Sequence, residues 1–170
     1  MTDIGPKIKS ITKDFINKDD SIGESNLYDI DYEKRVISNV KSNVGKLTKK
    51  EFEDGFIVLL GDIYTSDGQL ITSNDAKIKT GMIVRKNNKD YTIVIKGDLN
   101  YDGNINAADI IYLRRYLIGV YTFDDYQLKA SDVNDDGLID IEDVTHLRRA
   151  IAGGYDDSCE LLWRDIKWKN

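Results

Sequence analysis

Acidic and amide side chains recur at alternate positions in two stretches of this chain, and oxygens so spaced can wrap a hard cation. The first stretch begins Asp98-Leu99-Asn100-Tyr101-Asp102-Gly103 and the second Asp132-Val133-Asn134-Asp135-Asp136-Gly137, an offset of 34 residues. Ten positions match identically over the 22 residues from Asp98 and from Asp132, including Asp109/Asp143 and the pairs Arg114-Arg115 and Arg148-Arg149. A single Asp-x-Asn-x-Asp-Gly can be an ordinary turn. Two in register, each followed by a helical pattern, predict a duplicated ion loop.

Calcium takes six to eight oxygens from flexible ligands, and a twelve-residue loop supplies them at alternate positions. In loop one the predicted ligands are Asp98, Asn100, Asp102, the backbone carbonyl of Asn104, and Asp109 at position twelve. In loop two they are Asp132, Asn134, Asp136, the carbonyl of Leu138, and Asp143. Gly103 and Gly137 fall at position six, where the chain must turn sharply, and Asn106 and Asp140 at position nine. Position twelve is aspartate, one methylene shorter than the usual glutamate, so two-oxygen coordination requires the exit helix to come closer. Magnesium, which demands tighter geometry and keeps its waters, fits this many ligands less well. The expectation is two calcium ions. Each loop gathers three carboxylates, which repel one another and are costly to bury unpaired. Folding of residues 97–153 is therefore predicted to depend on calcium, with 30–96 surviving chelation.

Other chemistries find little support. One cysteine, Cys159, excludes an internal disulfide, and one histidine, His146, is too few for a histidine metal site. His146 is predicted on the surface. There is no nucleophile elbow, phosphate loop or zinc signature, and no basis for catalysis. The net charge of −6 argues against nucleic acid and anionic membrane as partners. No apolar run reaches membrane-spanning length. The alternative reading is an intracellular calcium buffer or sensor, and against it two methionines are too few for the Met-rich groove that a sensor exposes.

The elements that must carry the loops differ between the halves. Residues 30–96 read as β-rich: a strand over Arg35–Val40, a capping box Thr48-x-x-Glu51 opening a short helix through Phe52, and an apolar strand from Phe56 to Tyr64. A turn at Ser66-Asp67-Gly68 follows, then a hairpin of Met82–Arg85 and Tyr91–Lys96. Tyr91, Ile93 and Ile95 share one face of the last strand, with Thr92, Val94 and Lys96 on the other. Behind the loops, Ile110, Leu113 and Leu117, like Val144, Leu147 and Ile151, recur at helical core spacing. Ile105 and Ile139, at position eight, are predicted to point inward. No linker separates Lys96 from the first loop, which predicts two rigidly packed domains. Residues 1–29 read as a leader or linker, although Ile8, Ile11 and Phe15 have helical spacing. The tail with Trp163 and Trp168 reads as a clasp folded back on the rest.

A loop followed only by an exit helix, entered from a strand, repeated with Asp at position twelve and a basic pair on the helix, resembles the dockerin family over about 97–153. Thr80–Val84 and Tyr91–Lys96 are similar to the small β modules, called X-modules, that precede dockerins. The resemblance implies an α+β chain with the division 1–29 leader, 30–96 X-module-like β domain and 97–170 all-α dockerin with its tail. It implies a non-catalytic module that binds a cohesin on a scaffold or cell-surface protein, in a cellulosome-like extracellular complex. The chain would then be a monomeric piece of a secreted bacterial protein. Carried over by position, the partner-binding residues are Ala107, Ala108, Arg114 and Arg115 in the first half, and Ile141, Glu142, Arg148 and Arg149 in the second. Ala107-Ala108 faces Ile141-Glu142 across the repeat, and Tyr116 faces Ala150, so one binding orientation is expected to dominate.

Overall fold

The computed structural model describes residues 21–42, 47–59 and 61–152. Its elements run β1 (Gly23–Ser25), β2 (Asp29–Asp31), β3 (Val36–Val40), α1 (Lys49–Asp54), β4 (Phe56–Leu59), β5 (Asp62–Tyr64), β6 (Ile83–Lys86), β7 (Lys89–Ile95), α2 (Ala107–Leu117), α3 (Asp125–Ser131) and α4 (Ile141–Ala152). Strands precede helices of the repeat, a mixed α and β chain. The readings for Ile8, Ile11, Phe15, Trp163 and Trp168 lie outside the described residues.

The larger sheet has five strands in the order β2-β3-β7-β6-β5. β6 and β7 form the expected hairpin, pairing Lys86 with Lys89. Its two turn residues, Asn87 and Asn88, both have positive φ (49° and 63°), the geometry that a tight hairpin demands and asparagine tolerates. β3 runs parallel to β7, so β7 is central. That placement explains its burial. Tyr91, Ile93 and Ile95 are covered on one face as their alternation predicts, but Val94 and Lys96 are buried too. α3 packs against β7 from the helical half, with the Thr92 hydroxyl 3.2 Å from the Tyr126 hydroxyl.

Two expectations need correction. Residues 21–29 do not behave as a leader: Ile22 is fully buried, and β1 pairs with β4. The apolar run Phe56–Tyr64 is two strands rather than one. β4 joins β1, while β5 joins β6. The chain changes sheets at Gly61, whose backbone lies so close to Val84 that a Cβ would sit 2.6 Å from its Cγ1. Apolar pattern alone could not separate these strands, since Ile57 and Val58 are exposed.

The capping box at Thr48 is formed: the Glu51 amide donates to the Thr48 hydroxyl, and the Thr48 amide donates to the Glu51 carboxylate at 2.7 Å. α1 thereby presents Phe52, fully buried, between Tyr28 (centroids 5.2 Å apart, stacked) and Phe56 (5.3 Å, edge-on). Truncating such a ring in a closed core costs about 3–5 kcal/mol. Phe52→Ala should lower unfolding stability by about that amount in a denaturant titration, with the slope unchanged.

One hydrophobic core runs through both halves, from Ile22 and Phe52 to Leu113, Val144 and Leu147. Leu113, Val144 and Leu147 are buried, with Ile110, Leu117 and Ile151 packed partly buried against them, as their spacing predicts. The surface position predicted for His146 is wrong. It is 4% exposed, and its Nδ1 has no hydrogen-bond partner among the described residues. It precedes Leu147 on a buried face that also takes in Asp143, Val144 and Ala150.

Candidate ion loops and partner face

The two loops repeat the same hydrogen bonds at the same positions. At position one, the Asp98 carboxylate accepts the Gly103 amide (3.1 Å), and Asp132 accepts that of Gly137 (3.1 Å). At position three, Asn100 Oδ1 accepts the Asp102 amide, and Asn134 Oδ1 that of Asp136. At position five, Asp102 accepts the Asn104 amide and Asp136 that of Leu138. Tyr101 and Asp135, at position four, and the position-six glycines take positive φ, which closes the turn. Alternating oxygens are thereby folded into a compact ring.

Positions nine and twelve have a structural task that the ion-loop pattern alone does not reveal. Asn106 is the N-cap of α2: its Oδ1 accepts the Ala108 amide, and its own amide donates to Asp109 Oδ2 (2.9 Å). Asp109 Oδ1 accepts from Leu99 (2.9 Å) and Asn100 (3.3 Å), tying the start of the loop to its end. Asp140 and Asp143 do the same in loop two, with Val133 and Asn134 as the amide donors. A capping box thus sets where each exit helix begins. It also commits both oxygens of each position-twelve carboxylate to amides. Among the described residues, no three acidic, histidine or cysteine side chains are gathered into a closed metal cage.

The donors nonetheless suit a hard cation. They are oxygens throughout, three carboxylates and a carboxamide per loop. Asp98 and Asp109 are fully buried and Asp143 nearly so. Burial pushes the Asp109 carboxyl up to about 6, against the opposing pull of its amide donors, and raises Asp98 and Asp143 as well. Burial pushes Asp102 up too, but the Asn104 amide, the Asn100 and Asn104 side chains and the Lys77 charge leave it below the ordinary carboxylate value. Among the described residues, Asp132 Oδ1 is buried and has no hydrogen-bond partner. A buried anionic oxygen lacking a partner is costly, and a bound cation relieves that cost.

Several residues that brace the loops were not singled out from the sequence. α3 is one source. Its N-cap Asp124 accepts the Tyr101 hydroxyl (2.5 Å), and Gln127 Nε2 donates to the Leu99 carbonyl (2.7 Å). Burial and the bond to Asp124 raise the Tyr101 phenol. The spacing Asp124-x-x-Gln127 is itself a capping signature and could have revealed α3. Thr80 donates its amide to Asp98 (3.0 Å), and Lys96 is ion-paired with Asp135. These last two cross from the β half, and no local sequence signal marks them.

The residues carried over as partner-binding fall on exposed helix faces. Ala107, Arg114 and Arg115 on α2 are exposed and Ala108 is half-buried; Ile141, Glu142, Arg148 and Arg149 on α4 are all exposed. Ile111 and Ile118, 51% and 73% exposed, complete the α2 stripe at intervals of three and four from Ala107 and Arg114. Thr145 takes the corresponding place on α4. The two helices pack against each other. No described helix is long and apolar enough to cross a membrane.

Residues 96–152, about a third of the chain, match the family model of the Dockerin type I domain. No curated protein and no solved structure matches the chain.

Proposed function

We propose, from the premise that residues 96–152 form a dockerin type I domain, that the chain is a calcium-dependent, non-catalytic plug that docks onto a cohesin. Dockerin domains are cohesin-binding interaction modules that bind calcium. The finer reading is that each loop holds one calcium ion. Asp98, Asn100, Asp102, the Asn104 carbonyl and Asp109 serve the first, and Asp132, Asn134, Asp136, the Leu138 carbonyl and Asp143 the second. The observation that carries it is the duplicated loop network, with the unpartnered buried Asp132 Oδ1 inside it. Asp109 and Asp143 would hold the ion with lone pairs left over from their amide bonds, so they fix both the loop and the helix behind it. When bound, the ion neutralises carboxylates that otherwise repel.

In this reading calcium acts on partner binding through α2 and α4. Each helix starts at its loop's capping box, so ordering the loop orients Ala107, Ala108, Arg114 and Arg115, or Ile141, Glu142, Arg148 and Arg149, toward the cohesin. The division into a β domain over 30–96, which takes in residues 21–29 as well, and a dockerin from 97 onward belongs to the same proposal. So does an extracellular or cell-surface setting on a larger secreted protein, which fits cellulosome-like assembly. A panel of immobilised cohesins, titrated with the full chain in calcium and in EDTA, tests it. Binding to at least one cohesin, lost by 100-fold or more in EDTA, is expected, since the exit helices lose their orientation. Binding of equal strength in EDTA would refute calcium control, and binding to none would refute the cohesin reading.

A further inference from the structure

The two loops match in their own hydrogen bonds but not in what surrounds them. Loop one is walled by the β half. The Thr80 amide donates to Asp98 Oδ2, and the Thr80 hydroxyl accepts the buried Ile95 amide (3.0 Å), which pins this segment to the end of β7. Thr80 is 4% exposed. Lys77 Nζ bonds the Asn104 side chain at position seven. Gly103 lies so tightly under this segment that a Cβ there would come within 2.9 Å of the Ile78 carbonyl oxygen.

Loop two is not packed this closely: Asp132, Asp135 and Gly137 face Asp29, Ser38 and Asn39 of the β half across a cleft. The Asp132 oxygen equivalent to the one that Thr80 caps is the unpartnered Oδ1. A Cβ on Gly137 would meet nothing within 4 Å. Asp136, Gly137 and Leu138 are exposed, whereas Gly103 is buried. Among the described residues, the ion pair of Lys96 with Asp135, a residue between ligand positions, ties loop two to the β half.

We propose that Thr80 is a positioning residue for the first ion loop, and that residues 77–80 of the β half hold that loop preformed, so that it fills before loop two. Preorganisation works here as in any binding site: a loop already closed loses less conformational freedom when its ion arrives. Loop two must order itself on binding, and so is the loop that responds as calcium varies. The inference rests on the calcium reading above and adds that the β half is part of one ion site and not of the other.

The test uses the full chain and terbium, a luminescent stand-in for calcium that a nearby tyrosine sensitises. Tyr101 lies within loop one, and the matching residue of loop two is Asp135. In the unmodified chain, tyrosine-sensitised emission should saturate with the first equivalent of terbium and be lost in Tyr101→Phe. Emission appearing only with the second equivalent would overturn the order. With loop two disabled by Asp132→Ala, Thr80→Val, which strips the buried Ile95 amide of its acceptor and so loosens the segment whose backbone caps Asp98, should weaken terbium about five- to tenfold, and Thr80→Ser should restore it. With loop one disabled by Asp98→Ala, Thr80→Val should leave loop two's calcium affinity unchanged by calorimetry. An equal loss at both loops, or at neither, would overturn the assignment of Thr80. No binding by either loop would overturn this inference together with the calcium reading beneath it.

Discussion

Removing calcium is expected to abolish most of the helical circular dichroism and to lower the melting temperature of the whole chain, with effects that reach into the β half. At calcium 100-fold above Kd, ion binding adds about 2.7 kcal/mol per site, a large part of the stability of a small domain. Without the ion, the carboxylates of each loop face one another in a shell where Asp98, Asp109 and Asp143 are buried. α2 and α4 start at capping boxes made by those loops, so they fray with them. From sequence alone the β half should be indifferent. The structure changes that expectation, because the core is continuous and α3 covers β7. Hydrogen exchange in EDTA should therefore show reduced protection at Ile95 and Lys96, with residues 77–80, which hold loop one preformed, less affected. The Phe52–Tyr28–Phe56 cluster, which lies against α1 and β4, should stay protected. Helical dichroism unaltered by EDTA would refute the coupling. Full retention of protection at Ile95 would mean that the halves are energetically separate despite their shared core.

How far this arrangement could be read in advance depends on the range of the interactions involved. The position-six glycine turns of the two loops, the Thr48 capping box, the Asn87-Asn88 turn and the helix core positions Leu113, Val144 and Leu147 are local. Each is set by residues within a few positions of one another, so spacing reveals them. The capping role of Asp109 and Asp143 was hidden because one residue type satisfies two patterns, that of an ion ligand and that of N3 in a capping box, at the same position. The split of Phe56–Tyr64 was hidden because sheet membership depends on distant partners, β1 and β6. Thr80, Lys96 and the burial of His146 are tertiary facts of the same kind. Thr80 lies 18 residues from Asp98, and Lys96 lies 39 from Asp135. The asymmetry between the loops follows from those contacts, so a repeat that reads as symmetric along the chain is asymmetric in space.

That asymmetry leads to an expected result on the partner face. The carried-over arginine pairs are symmetric, but the helices that bear them are not. On α2, Ile111 and Ile118 flank Arg114 and Arg115, and Val120 is 70% exposed just beyond. On α4 the residues matching Ile111 and Ile118 are Thr145 and Ala152, Glu142 adds an opposing charge, and the exposed Ile141 lies seven residues before Arg148 rather than beside the pair. Arginines contribute most where surrounding apolar groups exclude water in the complex, and little where they stay at a wet rim. The double variant Arg114→Ala/Arg115→Ala should therefore weaken cohesin binding by at least about thirty-fold, the 2 kcal/mol scale of a hot spot. Arg148→Ala/Arg149→Ala should cost less than about fivefold, as rim charges do, and that loss should shrink further as salt is raised. Ile111→Ala separates packing from charge: it should weaken binding while leaving the salt dependence unchanged. Surface plasmon resonance in saturating calcium at two salt concentrations measures all three. Two small and equal losses, with only the four-arginine variant failing to bind, would instead indicate that the cohesin accepts either helix in the lead, and that matched arginines outweigh unmatched neighbours.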